Sequence, residues 1–295
     1  QVEESLNWVD KSDLHHIISI EHPLYPKELK HLPDSPPFLF LKGNLQLLAN
    51  NKFAIVGSRH PTKVGMDNAF RFAKDLAWHK LTIVSGMAMG IDKYAHEGAL
   101  TEFGSTIGVI GTGIDQTYPS SNRELYTQIL DKNGLLLTEY SINTQPITGN
   151  FPKRNRIIAA LSLGLLVVES AIDGGSMISA NLALDLGKEV MAIPGSIHNP
   201  LTRGCHKLIK NGAKLVESSN DILEELRFEP KSTLQSLAGT DNPILANMGF
   251  DPITIDELCL NLNLELTELC AKILELELSG KIINCGGGTY QRIFA

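Results

Sequence analysis

The chain has 295 residues, 43% of them hydrophobic, and a formal net charge of −7 at pH 7. This composition is typical of a globular protein that can bury a sizeable core, and it excludes a disordered chain. It also excludes a protein that attracts nucleic acid over its whole surface, so any nucleic-acid site must be local.

The cysteines and the apolar stretches indicate the compartment. Cys205, Cys259, Cys270 and Cys285 form no CxxC pair and lack the histidine spacing of a zinc ribbon, so we expect reduced thiols and no metal. The longest apolar stretch, residues 157–168, is shorter than the ~18 residues of a membrane span. No signal-peptide pattern opens the chain. We therefore expect a cytoplasmic protein without membrane contact.

Residues 1–51 form a mixed lead-in, which we expect to pack on the domain that follows. A short helical pattern carries Trp8, and five prolines then punctuate the segment before an apolar run at residues 38–41. Prolines at this density rule out long elements, so loops should dominate.

Between residues 52 and 226, short apolar runs alternate with amphipathic stretches. The predicted strands are Phe53–Val56, Leu81–Val84, Thr106–Ile110, Leu135–Leu137, Leu165–Val168, Glu189–Ile193 and Lys214–Val216. The predicted helices cover residues 63–78, 122–130 and 176–186, with others after residue 90, from residue 151 and near residue 208. Repeated βα units of this length predict an α/β fold with a doubly wound, mostly parallel sheet.

The first predicted strand ends at Gly57, Ser58 and Arg59. In an open parallel sheet this strand-to-helix turn is the usual anion site, so we expect its backbone N–H groups and the guanidinium to face a negative charge. Alternatively, Gly57 only makes a tight turn and Arg59 is a solvated surface charge. The dinucleotide fingerprint G-x-G-x-x-G is missing, which argues against an NAD enzyme, and we expect no cofactor.

Four predicted strand ends share a composition of small residues. They begin at Gly57, Ser85, Gly111 and Glu169, and the last includes Gly175 and Ser176. If the strands are parallel, these turns open on one edge and form a cleft suited to phosphates. The alternative is that glycines simply end strands.

A cationic and aromatic group starts the helix predicted from residue 151. Its members are Phe151, Lys153, Arg154, Asn155 and Arg156. They cannot all be buried, and cations oppose the helix dipole there, so we expect an anion to compensate them. On a single-stranded nucleic acid the cations would bind phosphates while Phe151 stacks on a base, worth about 1–3 kcal/mol. Alternatively, Phe151 packs against Ile157 or Ile158 and the cations form a solvated face.

Catalytic patterns are scarce. The sequence has no Walker A lysine, HExxH motif or G-x-S-x-G elbow. Glu139, Glu169, Asp92 and Asp115 lie near strand ends and could include an acid and a base, but carboxylates there equally cap helices. We expect a protein that is not an enzyme.

Residues 227–242 are predicted to form a linker, and residues 243–295 a separate module. Three helical segments precede two short strands joined at Gly286–Gly288, which is the winged-helix layout. The third helix carries three glutamates against Lys272, whereas a helix that reads the major groove should be basic. The charge favours a protein-contact or packing role.

Several long motifs carry a resemblance to a known family. They are YPKELK, PPFLFLKG, IVGSR, SGMAMGID, GVIGTGIDQTYPSSN, FPKRNRIIAALS, VVES with GGSMISA, and AIPGSIHNPLTRGCHKLIKNGA. Over residues 25–216 the chain resembles the DNA-processing protein A (DprA, or Smf) family. The resemblance implies an extended Rossmann-like domain that binds single-stranded DNA, protects it during natural transformation, loads the RecA recombinase and forms a homodimer. The family's DNA pocket would fall on Gly57, Ser58, Arg59, Phe151, Arg154, Asn155 and Arg156.

The departures from the family pattern are conservative. Residues 174–180 read GGSMISA where an SGSLITA-like stretch is usual, and Lys188 stands where arginine is common.

The alternative function is an N-glycosidic hydrolase resembling the nucleotide phosphoribohydrolases. Their PGGxGTxxE-type motif is absent from this sequence.

Overall fold

The structure is a computed structural model that describes residues 2–102, 105–228, 242–248, 252–262 and 264–293. The chain divides into two compact units, Gln1–Lys231 and Ser232–Ala295, called here the large and the small unit. Most of the predicted linker at 227–242 lies outside the described residues. Within the described ranges, no helix has the length and apolar character needed to cross a membrane.

In the large unit, helices and strands alternate as the sequence predicts. In chain order they are α1 (Val2–Val9), β1 (His15–Ser19), β2 (Phe38–Gly43), β3 (Lys52–Val56), α2 (Lys63–Trp78), β4 (Thr82–Ser85), α3 (Ile91–Ala99), β5 (Thr106–Val109), α4 (Arg123–Asp131), β6 (Leu135–Thr138), α5 (Asn150–Leu161), β7 (Gly164–Val167), α6 (Gly175–Asp185), β8 (Glu189–Ala192), α7 (Arg203–Lys210), β9 (Lys214–Leu215) and α8 (Ser219–Glu225).

The strands of the described large unit form a nine-stranded sheet in the order β1-β2-β6-β5-β4-β3-β7-β8-β9. β3 to β9 are parallel, and β1 and β2 join antiparallel at one end. Side chains of β3 alternate between two cores: Ala54 and Val56 share one with α5 and α6, and Phe53 and Ile55 share the other with α2 and α3. The predicted doubly wound, mostly parallel sheet is confirmed.

The lead-in is more regular than its proline content suggests. Its segments β1 and β2 pair with each other, and β2 pairs with β6 through Phe40 and Thr138, so both belong to the main sheet. The prediction that loops dominate misses β1. All five prolines lie between the two strands, where they shape the connection and break neither ladder.

The connectivity places a crevice beside β3. From β3 the chain proceeds outward through β4, β5 and β6, and α5 then returns it to β7 on the other side of β3. Ligands in such sheets bind outside the carboxyl ends of the strands where this reversal occurs. The fold therefore positions a site between the ends of β3 and β7.

The small unit has the predicted winged-helix layout. It contains α9 (Pro243–Met248), β10 (Ile253–Thr254), α10 (Ile255–Leu262), α11 (Leu266–Leu278), β11 (Ile282–Gly286) and β12 (Thr289–Arg292). The described strands pair in the order β10-β12-β11, and the helices share a core that includes Leu258 and Leu269. On α11, Lys272 pairs with Glu268 at 2.6 Å. A protein-contact role for this unit stays a prediction.

A buried histidine on α3 makes stability depend on pH. The hydroxyl of Thr106 donates its proton to Ile83 O, so this hydroxyl must accept the hydrogen bond from Nδ1 of His96, at 2.7 Å. The other ring nitrogen of His96, Nε2, has no hydrogen-bond partner among the described residues. Burial is the main cause that lowers the pKa of His96 from 6.5 to about 3, and the charge of Arg154 adds to it. Between these values the unfolded chain binds a proton that the folded chain does not, so stability falls as the pH falls.

We expect His96→Gln to remove this acid sensitivity. From pH 7.5 to 5.5 the histidine should cost the wild type about 1.4 kcal/mol of unfolding free energy, a loss that the variant avoids. Urea titrations at both pH values measure the difference. His198→Gln, at an exposed position, is the matched control and should lose as much as the wild type. An equal loss in His96→Gln would contradict the assignment.

Candidate nucleic-acid interface

The ends of β3, β4 and β7 open into a cleft of about 440 Å³ at the predicted crevice. This volume is within the usual range for ligand sites. Eight of the ten predicted site residues line it: Gly57, Ser58, Arg59, Phe151, Arg154, Asn155, Gly175 and Ser176. Lys153 and Arg156 do not.

The turn at Gly57 is tightly packed. A Cβ atom on Gly57 would lie 2.6 Å from the Ile91 side chain and 2.9 Å from the carbonyl oxygen of Glu169, so only glycine fits. The N–H of Ser58 donates to Glu169 O at 2.7 Å, and Ser58 O accepts from Ile91 N at 3.1 Å. The expectation that this turn offers its backbone amides to an anion is therefore wrong for Ser58, whose amide is already bonded.

Arg59 projects from the same turn into solvent. Its side chain is exposed and forms no ion pair with any residue that the structure describes. Its backbone is held close to Gly90, where an added Cβ would lie 2.7 Å from Arg59 O and where φ is +77°. A fixed backbone with an unpaired guanidinium at a cleft is suited to binding an anion.

The start of α6 also lines the cleft. Ser176 Oγ donates to Ser170 Oγ at 2.8 Å, which joins the helix start to the end of β7. The first N–H groups of a helix lack intrahelical acceptors and favour negative charge. Because Gly175 and Ser176 line the cleft, α6 supplies a second anion-binding element in the same cleft as Arg59.

Phe151, at the start of α5, forms the aromatic part of the wall. Its ring lies 5.2 Å from the Tyr118 ring with an interplanar angle of 32°, and a Cβ on Gly111 would lie 2.9 Å from its Cδ1. Ile157 and Ile158 belong to the core that β3 shares with α5 and α6, and Phe151 is not part of that core. The alternative that Phe151 packs against these isoleucines is wrong.

Arg154 is buried, contrary to the expectation that these cations need an external anion. Its Nη1 donates to the carbonyl oxygens of Gly86, at 2.6 Å, and Val109, which ties α5 to the ends of β4 and β5. The carboxylate of Asp92 lies near the Arg154 guanidinium and accepts a hydrogen bond from Gly86 N at 3.0 Å. Burial raises the pKa of Asp92 and lowers that of Arg154, and each charge opposes the shift of the other. Arg154 therefore stabilises the floor of the cleft.

Arg156 lies outside the cleft. Its Nε donates to Asp34 at 2.9 Å and its Nη2 to Glu139 at 2.7 Å, so it joins α5 to the lead-in and to the end of β6. Lys153 is 3.9 Å from the same Glu139 carboxylate. The expectation that an external anion compensates Arg156 is therefore corrected, because Asp34 and Glu139 of the protein itself compensate its charge.

The four candidate acids have structural partners. Glu169 accepts from Thr62 N at 2.9 Å and from Thr62 Oγ1 at 2.5 Å at the start of α2, and its pKa is raised by burial. Asp115 accepts from Asn143 N at 2.9 Å, while Asp92 and Glu139 have the contacts given above. In the described ranges no three His, Cys, Asp or Glu side chains are placed to hold a metal ion.

Sequence reasoning misses several residues of this region. Ile178 and Leu201 line the cleft, and Tyr118 contacts Phe151. Ile178 is 42% exposed, and its sequence pattern predicts only a helix. Tyr118 stands in the GTGIDQTYP stretch, but nothing in that motif shows that its ring reaches α5.

Models of protein families match both units. Residues 16–227 match the model described as DNA recombination-mediator protein A, and residues 228–288 match the DprA winged helix domain. The chain belongs to the DNA recombination-mediator protein A family. Protein Smf of Escherichia coli is 38% identical over 97% of this chain and 80% of the relative. The DNA processing protein DprA of Streptococcus pneumoniae is 46% identical over 71% of this chain and 74% of the relative.

Solved structures of family members are similar in fold. DNA processing protein A of S. pneumoniae matches with a TM-score of 0.69 and 44% identity over 76% of this chain and 78% of that one. The Helicobacter pylori family member matches with a TM-score of 0.65 and 32% identity over 72% of this chain and 96% of that one. For that H. pylori protein, the solved structure is described as giving insight into a unique single-stranded DNA binding mode.

Proposed function

We propose that the large unit binds single-stranded DNA in the cleft without strong sequence preference. The observation that carries this proposal is the cleft itself, which is lined by the unpaired guanidinium of Arg59, by the start of α6 and by the aromatic ring of Phe151. The two anion-binding elements suit phosphates, and an aromatic ring stacks on any unpaired base. The H. pylori relative supports the same ligand class.

In the wider proposal, the protein protects single strands in the cytoplasm and promotes RecA loading on them during DNA uptake and recombination, acting as a homodimer. Membership of the recombination-mediator family and the relatives named DNA processing proteins support this role. We also propose that it is not an enzyme. The structural partners of Glu169, Asp92, Glu139 and Asp115 support that view.

Single strands should bind more tightly than duplex of the same length, because stacking on Phe151 requires an unpaired base. Fluorescence anisotropy with labelled mixed-sequence oligonucleotides, titrated at several salt concentrations, measures both affinities. Homopolymers of different bases test sequence preference and should differ little. Equal affinity for single strands and duplex at the same salt would contradict the proposal.

A further inference from the structure

The aromatic surface of the cleft continues beyond its wall. Phe151 lines the cleft, whereas Tyr118, whose ring contacts Phe151 at 5.2 Å, lies outside it. Tyr118 is 45% exposed although it is a large aromatic residue. Its hydroxyl makes no hydrogen bond to any residue that the structure describes. Neither burial of the ring nor a hydrogen bond of the hydroxyl therefore explains why an aromatic residue stands at this exposed position.

The segment that carries Tyr118 is held firmly. The Tyr118 carbonyl oxygen accepts from Tyr126 Oη at 3.1 Å. Just after it, Asn122 Nδ2 donates to the carbonyl oxygens of Met87 and Ala88 at 3.0 and 3.1 Å, which ties the segment to the loop after β4. Ala88 itself lines the cleft. The backbone that carries the exposed ring is therefore held in place before any ligand arrives, which lowers the entropy cost of binding to it.

The charges of the segment that carries Tyr118 favour a base over a phosphate as its partner. Residues 111–119 contain no lysine or arginine and include the carboxylate of Asp115. A phosphate gains no ionic contact from such a segment, whereas the face of an exposed tyrosine is a sequence-tolerant platform for a base.

We propose that Tyr118 is a second base-stacking position, adjacent to Phe151, which receives an unpaired base where the strand leaves the cleft. This inference rests on the proposed single-strand binding. It gives the site two aromatic contacts in series and predicts that affinity rises with oligonucleotide length until a base reaches Tyr118.

The test compares Tyr118→Ala, Tyr118→Leu and Tyr118→Phe on oligo(dT) of increasing length. For strands long enough to reach the ring, Tyr118→Ala and Tyr118→Leu should bind about fivefold to a hundredfold more weakly, with an unchanged salt slope. Tyr118→Phe should bind as tightly as wild type, because it keeps the aromatic face. For the shortest strand that still binds, all three should match wild type. Tyr118→Leu fills the space beside Phe151, so it reports on stacking even if Tyr118→Ala folds poorly.

Phe151→Ala should weaken binding at every length, and Trp78→Ala, at an exposed aromatic position (41%), should change nothing. Trp78 ends α2, just before β4 begins, so it lies at the sheet edge opposite the cleft. If the Tyr118 variants lose the same factor at all lengths, Tyr118 only positions Phe151 and the inference is overturned. If they match wild type at all lengths while Phe151→Ala is weaker, the inference fails and the proposed function stands. Absence of single-strand binding by the wild type would overturn both.

Discussion

Arg59→Ala should weaken single-strand binding about tenfold and reduce the slope of log K against log salt by about 0.7, the value for one phosphate on a single strand. The guanidinium is exposed at the cleft and has no ion-pair partner among the described residues, so its loss removes a phosphate contact without leaving a buried charge. Anisotropy titrations at four or more salt concentrations measure affinity and slope together.

Phe151→Ala provides the contrast within the same cleft. It should weaken binding by a comparable factor, about 1–3 kcal/mol per stacked base, and leave the salt slope nearly unchanged, because stacking releases no counterion. The two variants therefore separate an ionic contact from a stacking contact.

Lys11→Ala is the matched cationic control. Lys11 is exposed and precedes β1, which runs in the same direction as β6 because both pair antiparallel to β2. It therefore lies at the sheet edge opposite the cleft, and its loss should alter neither affinity nor slope. If Arg59→Ala, folded, also leaves both intact, the turn at Gly57 serves only packing between β3 and α3.

The sequence predicts the sheet well because most of its strands are short apolar runs between amphipathic helices. β3 and α2 fall at the predicted positions, since a buried parallel strand and a periodic helix leave strong local patterns. β1 is missed because its residues, HHIIS, lack a long apolar run and gain their strand pairing only from β2. α8, a short helix with a capping box at Ser218, is likewise absent from the prediction.

The candidate site is predictable in composition but not in orientation. The turn at Gly57 and the start of α5 meet in one cleft, as parallel strand ends require. Sequence spacing does not show which cations of α5 face inward. That depends on Asp34, Glu139 and Asp92, which come from distant parts of the chain and compensate the buried charges. Only the three-dimensional packing distinguishes Arg59 from Arg154.

Arg154→Met should lower the free energy of unfolding by about 3–5 kcal/mol, the usual cost of leaving a buried charge without its partner. Arg154 is 5% exposed, and its guanidinium bonds Gly86 O and Val109 O. Asp92, 8% exposed, lies beside the same guanidinium next to Gly86 and would lose the positive charge that opposes the rise of its pKa by burial. Urea titration measures the change. Arg59→Ala, in the same cleft but exposed, should stay within about 0.5 kcal/mol of wild type.

A second substitution tests the cause of that loss. In Arg154→Met with Asp92→Asn no charge remains beside Gly86, and the asparagine oxygen can still accept from Gly86 N, so the double variant should lose about 1–3 kcal/mol less than the sum of the single losses. Additive losses would show that Asp92 and Arg154 act independently. An Arg154→Met protein as stable as wild type would contradict a structural role and return Arg154 to the candidate phosphate contacts. With the expected result, weak DNA binding by Arg154 variants would reflect a displaced cleft floor. Arg59 would then be the exposed cation, among the described residues that line the cleft, that can contact a phosphate.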